Sequence, residues 1–166
     1  YTLNRLTSGD NAAPHLTTGN SKASSPSPPA KPIAAKKVNL TRSPQTFEAE
    51  EAGHNGPSVA KNNGGYTGKG FIDFQEPNGE YLKWLIQTKN IGKYTLSFRY
   101  ALAGGNRPLQ LKVNGKVVTK AMPFKGTGSW TTWKSISSNV VLKASTNEIL
   151  LESTGSNVDS LTIERK

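Results

Sequence analysis

An all-β chain folded as a β-sandwich is what three features of this sequence predict. Tyr94, Leu96, Phe98 and Tyr100 alternate with Thr95, Ser97 and Arg99, the period of two expected where one face of a strand meets a core. Leu109, Leu111 and Val113 alternate with Gln110 and Lys112, and Asn114-Gly115 then precedes Val117-Val118, the pattern of two strands joined by a tight hairpin turn. No segment keeps a helical period, and short strands punctuated by Gly, Asn and Pro favour a sandwich, of jelly-roll type.

Residues 1–45 come first and read as a disordered linker. Ser24-Ser25-Pro26-Ser27-Pro28-Pro29-Ala30-Lys31-Pro32 favours extended, semi-rigid conformations, and too little apolar surface is present to offset the entropy of ordering. A linker implies something at its other end. Since the chain opens on Tyr1 rather than Met, the expectation is a processed piece or fragment with a partner domain upstream. Residues 46–166 then supply one sandwich, for which about 100 residues suffice. Besides the strands above, 70–74, 80–87, 131–137, 139–143, 148–152 and 158–164 have strand character.

Composition excludes several classes. There is no Cys, hence no disulfide, thiolate metal site or Cys nucleophile, and no apolar run long enough to span a membrane. The net charge is +10, but beyond residue 45 the basic residues are scattered singly, whereas nucleic acid would call for a clustered stripe. Only two His occur, His15 in the linker and His54 in a Gly-rich stretch, and no G-x-S-x-G elbow is present. Glu48 and Glu50 stand at the start of the domain, where a deep catalytic cleft is hard to build. A non-catalytic module is therefore expected.

The same two carboxylates suggest a cation site. Two apart on a strand, they share one face and repel each other, which a hard cation with oxygen ligands, most simply calcium, would relieve. If the first and last strands lie side by side, Asp159 joins them, and a carbonyl near Thr67–Gly70 completes the shell.

Sugar recognition is suggested by aromatics and amides in loops. Trp84 alternates with Leu82 and Ile86 and is expected in the core. Trp130 and Trp133, three apart, face opposite sides of a strand, and Trp130, after Gly126-Thr127-Gly128-Ser129, is assigned to the surface, where an indole stacks on the C–H face of a pyranose. Tyr66 lies in Asn62-Asn63-Gly64-Gly65-Tyr66-Thr67-Gly68 and can both stack and hydrogen-bond. Asn157 offers a donor and an acceptor to adjacent hydroxyls; Asn106 and Arg107 form a fourth loop candidate, the guanidinium able to fork onto vicinal hydroxyls or a uronate.

The ordered set of Phe47-Glu48-Ala49-Glu50, Gly65-Tyr66-Thr67-Gly68-Lys69-Gly70-Phe71-Ile72, Gly79-Glu80-Tyr81-Leu82-Lys83-Trp84, Gly128-Ser129-Trp130-Thr131-Thr132-Trp133 and Asn157-Val158-Asp159 resembles the family-35 carbohydrate-binding modules and, more loosely, those of family 6. The resemblance covers residues 46–166. It implies a jelly roll with structural calcium on Glu48, Glu50 and Asp159, and a ligand site in loops at one end, formed by Trp130, Asn157 and a second aromatic, Tyr66 or Phe71. It also implies a secreted, monomeric module tethered to a plant-cell-wall glycoside hydrolase, with polysaccharide as partner and neither nucleic acid nor membrane. Asp73 and Glu76 are the only acids near the loops, which favours a neutral polymer, β-mannan or galactomannan, presented by a mannanase. The alternatives are calcium-dependent binding of uronic-acid polymers such as glucuronoxylan or pectin fragments, supported by Arg107 and the positive charge, and a protein-interaction sandwich.

Overall fold

The computed structural model describes residues 31–75, 79–152 and 155–166. Within them the strands in chain order are β1 (Lys37–Asn39), β2 (Gln45–Glu48), β3 (Gly53–Asn55), β4 (Ser58–Ala60), β5 (Phe71–Asp73) and β6 (Tyr81–Gln87). They continue as β7 (Gly92–Ala101), β8 (Leu109–Val113), β9 (Lys116–Met122), β10 (Lys134–Leu142), β11 (Thr146–Glu152) and β12 (Asn157–Arg165). One sheet runs β1-β6-β11-β8-β9, with β3 also on β6; the other runs β10-β7-β12-β5-β4, with β2 also on β12. The all-β sandwich is what the alternation predicted.

The inward residues of both sheets form one core. Leu82, Trp84 and Ile86 of β6 and Leu109, Leu111 and Val113 of β8 face Leu96, Phe98 and Tyr100 of β7 and Leu161 and Ile163 of β12. Trp84 is buried as expected and meets Phe98 with ring centroids 6.0 Å apart. The β8–β9 hairpin turns on Asn114 and Gly115 with φ of 51° and 76°, the left-handed pair that Asn-Gly supplies.

Two local readings are corrected. The segments 131–137 and 139–143 are one strand, β10, which starts only at Lys134, so Trp130 and Trp133 sit in a turn and not on opposite faces of a strand. The boundary expected at residues 45/46 falls inside the paired structure: β1 adds in parallel to β6, with Val38 opposite Ile86, and Ile33 bridges His54. The physical reason is that β6 offers an open edge of backbone N–H and C=O groups, which a short polar segment can cover without contributing much apolar surface. Most of the Pro/Ser stretch, residues 24–30, lies outside the described residues.

Candidate functional site: a polar cleft in the loops and a carboxylate cluster beside it

The first and last strands of the second sheet do pair. Ser160 of β12 lies opposite Glu48 of β2, and Asn157 opposite Asp73 of β5 and Ala101 of β7. Between Val158 and Ser160 the β12–β7 register shifts by a residue, a bulge whose extra residue is Asp159. Such a bulge re-aims a side chain, and Asp159 is left with no exposure.

Asp159 meets the loop that carries Thr67. Its carboxylate accepts from the Thr67 amide at 2.8 Å and from the Thr67 hydroxyl at 2.9 Å, and it pairs with the Arg99 guanidinium. The same hydroxyl approaches Glu48 Oε2 at 2.9 Å, and the Lys69 amide donates to Glu50 Oε1 at 2.5 Å. Glu48 and Glu50 do not share a strand face, because β2 ends at Glu48 and a 3₁₀ turn over Ala49–Glu51 follows. The turn instead brings Glu50 round to the loop. Gly68, at φ +64°, would place a Cβ 2.3 Å from Glu50 Oε1, so the loop can pass only without a side chain there.

Three carboxylates thus meet one loop, and the electrostatics register it. Glu48 is pushed above the ordinary carboxylate range by loss of solvent and by the neighbouring charges of Glu50, Asp159 and Glu51, against the Thr67 hydrogen bond, which lowers it. Glu50 Oε2 is buried without a partner. All-oxygen donors, clustered negative charge and an orphaned buried carboxylate oxygen fit a hard cation. Among the described residues, however, no group of three or more His, Cys, Asp or Glu is arranged to hold a metal as it stands. The Thr67 and Lys69 donors and Arg99 take up the oxygens, where a loop carbonyl had been expected.

On the adjoining side of the loops, Asn62, Asn63, Asp73, Trp130 and Asn157 line a polar cleft of about 230 Å³. Strand ends supply Asp73 and Asn157; the loop between β4 and β5 supplies the two Asn; the turn before β10 supplies Trp130, which is half-buried against the core and not exposed as expected. Arg107 lies over the Trp130 ring, 5.6 Å from its centroid, and donates to the Gly155 carbonyl at 2.7 Å. Burial raises the Asp73 carboxyl above its ordinary range, while a Gln75 hydrogen bond and the Arg107 charge act the other way.

Trp130 and Asn157, read from the sequence, therefore come together, with Arg107 at their edge. The second aromatic does not join them. Phe71 has no exposure and packs edge-on against Trp133 at 5.5 Å, so its ring cannot stack on a sugar. Tyr66 leans on Phe71 at 5.7 Å, and the Trp133 indole donates to the Gly64 carbonyl at 2.9 Å, making a separate cluster that fixes the loop. The cause is that Ile72 takes the core side of β5, while Phe71, on the opposite face, is covered by Tyr66 and Trp133. Asn106 is exposed and bridges Lys125 through its backbone, away from the cleft lining. The sequence reading left out Asn62, Asn63 and Asp73 as contact residues; consecutive amides in a Gly-rich loop were the available signal. Glu76 lies outside the described residues.

Comparison with known proteins places this geometry. Residues 48–165 match the model of the family described as carbohydrate binding module (family 6). A family-35 carbohydrate-binding module from Clostridium thermocellum is similar over 75% of this chain and 100% of its own, with 33% identity and a TM-score of 0.72. A family-35 module bound to a disaccharide containing glucuronic acid is 29% identical over 71% of this chain and 91% of its own, TM-score 0.63. A β-(1,4)-mannanase from Podospora anserina that carries a family-35 module is 26% identical over 75% of this chain and 28% of its own, TM-score 0.64. The curated relatives are far longer: an exo-β-D-glucosaminidase from Amycolatopsis orientalis is 33% identical over 125 residues, which is 72% of this chain but 12% of that protein.

Proposed function

The chain belongs to the family-6 carbohydrate-binding modules, with family-35 modules among its relatives, a non-catalytic class, and from that premise we propose that its loop cleft holds a neutral plant-wall polysaccharide, β-mannan or galactomannan. The observation that carries this reading is the cleft lining: three Asn amides and one carboxylate around a single indole. Amides both donate to and accept from hydroxyls, a carboxylate accepts from them, and the indole takes the C–H face of a ring. The cleft is smaller than the ~300–1,000 Å³ of drug-sized sites, which suits one sugar ring of a chain. A uronate in the same place would set its carboxylate against Asp73, while Arg107 is already shared between Gly155 and Trp130. The mannanase relative supports mannan among neutral polymers.

A second reading rests on Arg107 itself. Its guanidinium stands beside the stacking ring, and a related module is known with a glucuronic-acid disaccharide. Uronate binding there would require a cation to offset Asp73.

The carboxylates Glu48, Glu50 and Asp159 are proposed to hold structural calcium. The ion would supply charge neutralisation, and these residues would exchange their Thr67 and Lys69 hydrogen bonds for it. Its site ties β2, the 3₁₀ turn and β12 to the loop that also carries Asn62 and Asn63, so it would steady the cleft. The module is further proposed to be secreted and tethered through its Pro/Ser-rich N-terminal segment to a glycoside hydrolase. Tethering raises the local concentration of a catalytic domain at its polymer.

Trp130→Ala tests the site. Galactomannan affinity should fall at least tenfold, about 1.4 kcal/mol, with circular dichroism and cooperative melting retained. Unchanged affinity in a folded variant would remove the cleft from the assignment.

A further inference from the structure

Six basic residues that stand apart in the sequence gather in space. Gln87 of β6 lies opposite Thr146 of β11, Leu142 of β10 opposite Gly92 of β7, and Arg165 of β12 opposite Tyr94, so the turns beyond these residues all close the same end of the sandwich. That end is remote from the loop cleft, where Asn157 pairs with Asp73 at the other end of β12. It carries Arg42, Lys89, Lys93, Lys143, Arg165 and Lys166, all exposed. None of the six pairs with a carboxylate among the described residues. Glu148, nearby on β11, is held by Lys83 at 3.1 Å, and Glu164 is the acid left at the strand ends. Glu48, Glu50, Asp73, Glu80 and Asp159 lie toward the other end, so the module is electrically lopsided.

The basic end is also shaped. Arg42, Lys89 and Arg165 line a cleft of about 220 Å³ together with Thr41, Ser43 and Asn90. The backbone around it is fixed: the Arg165 amide donates to Ser43 Oγ at 2.7 Å, and Tyr94 donates its hydroxyl to the Asn90 carbonyl at 2.8 Å. Lys93 and Lys166 line a neighbouring depression and are joined through their backbones at 3.0 Å. Six cations gathered in this way, with Glu164 the acid beside them, repel one another, and a polyanion laid across them relieves that repulsion.

We propose that this pole is a second binding surface, for anionic polysaccharide, with the Arg42–Lys89–Arg165 cleft taking uronate carboxylates. A sugar chain fits better than nucleic acid. The cleft offers hydroxyls and an amide to a polyhydroxyl ligand, and its one aromatic, Tyr94, is buried with its hydroxyl engaged, leaving no ring on which a base could stack. The surface is independent of the loop cleft and does not rest on that site's ligand. It would let the module hold two wall polymers at once.

The test is retention of the full chain on polygalacturonate in affinity electrophoresis, at low and high salt. Wild type should be retarded, less so as salt rises. The triple variant Arg42→Gln, Lys89→Gln, Arg165→Gln should lose roughly tenfold in affinity, since three charge contacts are removed, while galactomannan retention stays the same. A control triple that removes as much charge elsewhere, Lys61→Gln, Lys120→Gln, Lys134→Gln, should retain polygalacturonate binding. Methyl-esterified polygalacturonate, which keeps the sugar and loses the charge, should not be retained. The proposal is overturned by equal retention of the pole variant and wild type, by an equal loss in the control triple, or by retention of the ester. Tighter binding of duplex DNA than of polygalacturonate would overturn the polysaccharide assignment.

Discussion

Glu48 carries a charge that costs the fold stability and that the proposed cation would neutralise. Its carboxyl is raised above the ordinary 4.5 because burial and the charges of Glu50 and Asp159 disfavour the anion. Between the ordinary and the raised value the folded state holds more protons than the unfolded one, so this contribution to stability falls as pH rises through that window and stays unfavourable at neutral pH. Glu48→Gln should therefore melt above wild type in chelator at neutral pH, with the gap closing on acidification toward the ordinary value. Calcium should raise the wild-type melting temperature and leave the variant unmoved. A variant that melts lower in chelator, or still responds to calcium, would contradict the cation site. At this scale the sequence was legible where residue type limits chemistry: Glu48, Glu50 and Asp159 meet one loop, and Trp130 and Asn157 share a cleft. It was less legible where partners decide, as with Asp73, whose membership of the cleft depends on its pairing with Asn157 across two strands.

Among the elements, long amphipathic strands were readable because alternation reports a buried face, as in β7 and β8. The misreadings fall on short, polar pieces. β1 is three residues, all exposed, paired in parallel with β6, and carries no apolar period to announce it. The β12 bulge that aims Asp159 is likewise invisible in composition, because one extra residue changes direction and not residue type. Phe71 followed the family pattern in the sequence, but Tyr66 and Trp133, which close over it, decided its role. If β1 belongs to the sandwich, a fragment of residues 46–166 should melt several degrees below one of residues 31–166 in thermal denaturation, since it exposes the β6 edge and removes Lys36, Val38 and Asn39 from the wall of the cleft they line with Phe47 and Trp84. Equal melting temperatures would show that β1 adds nothing to the fold.

At the level of the whole molecule, chain order conceals what the fold assembles. Lysines far apart in sequence gather at one pole, whereas the loops of the opposite end bring together amides, one carboxylate and an indole. The fold class could be read before any coordinates, because alternation marks the strands and a sandwich collects their connections at two ends. Ligand choice could not, since it depends on how Asp73 and Arg107 stand to each other around Trp130. The measurement that addresses the central claim is calorimetric titration of the intact chain with galactomannan and with glucuronoxylan, each in calcium and in chelator. Saturable binding to galactomannan, persisting in chelator with reduced affinity, is the predicted result. Binding to glucuronoxylan alone, and only with calcium, would contradict it and assign the loop cleft to uronates.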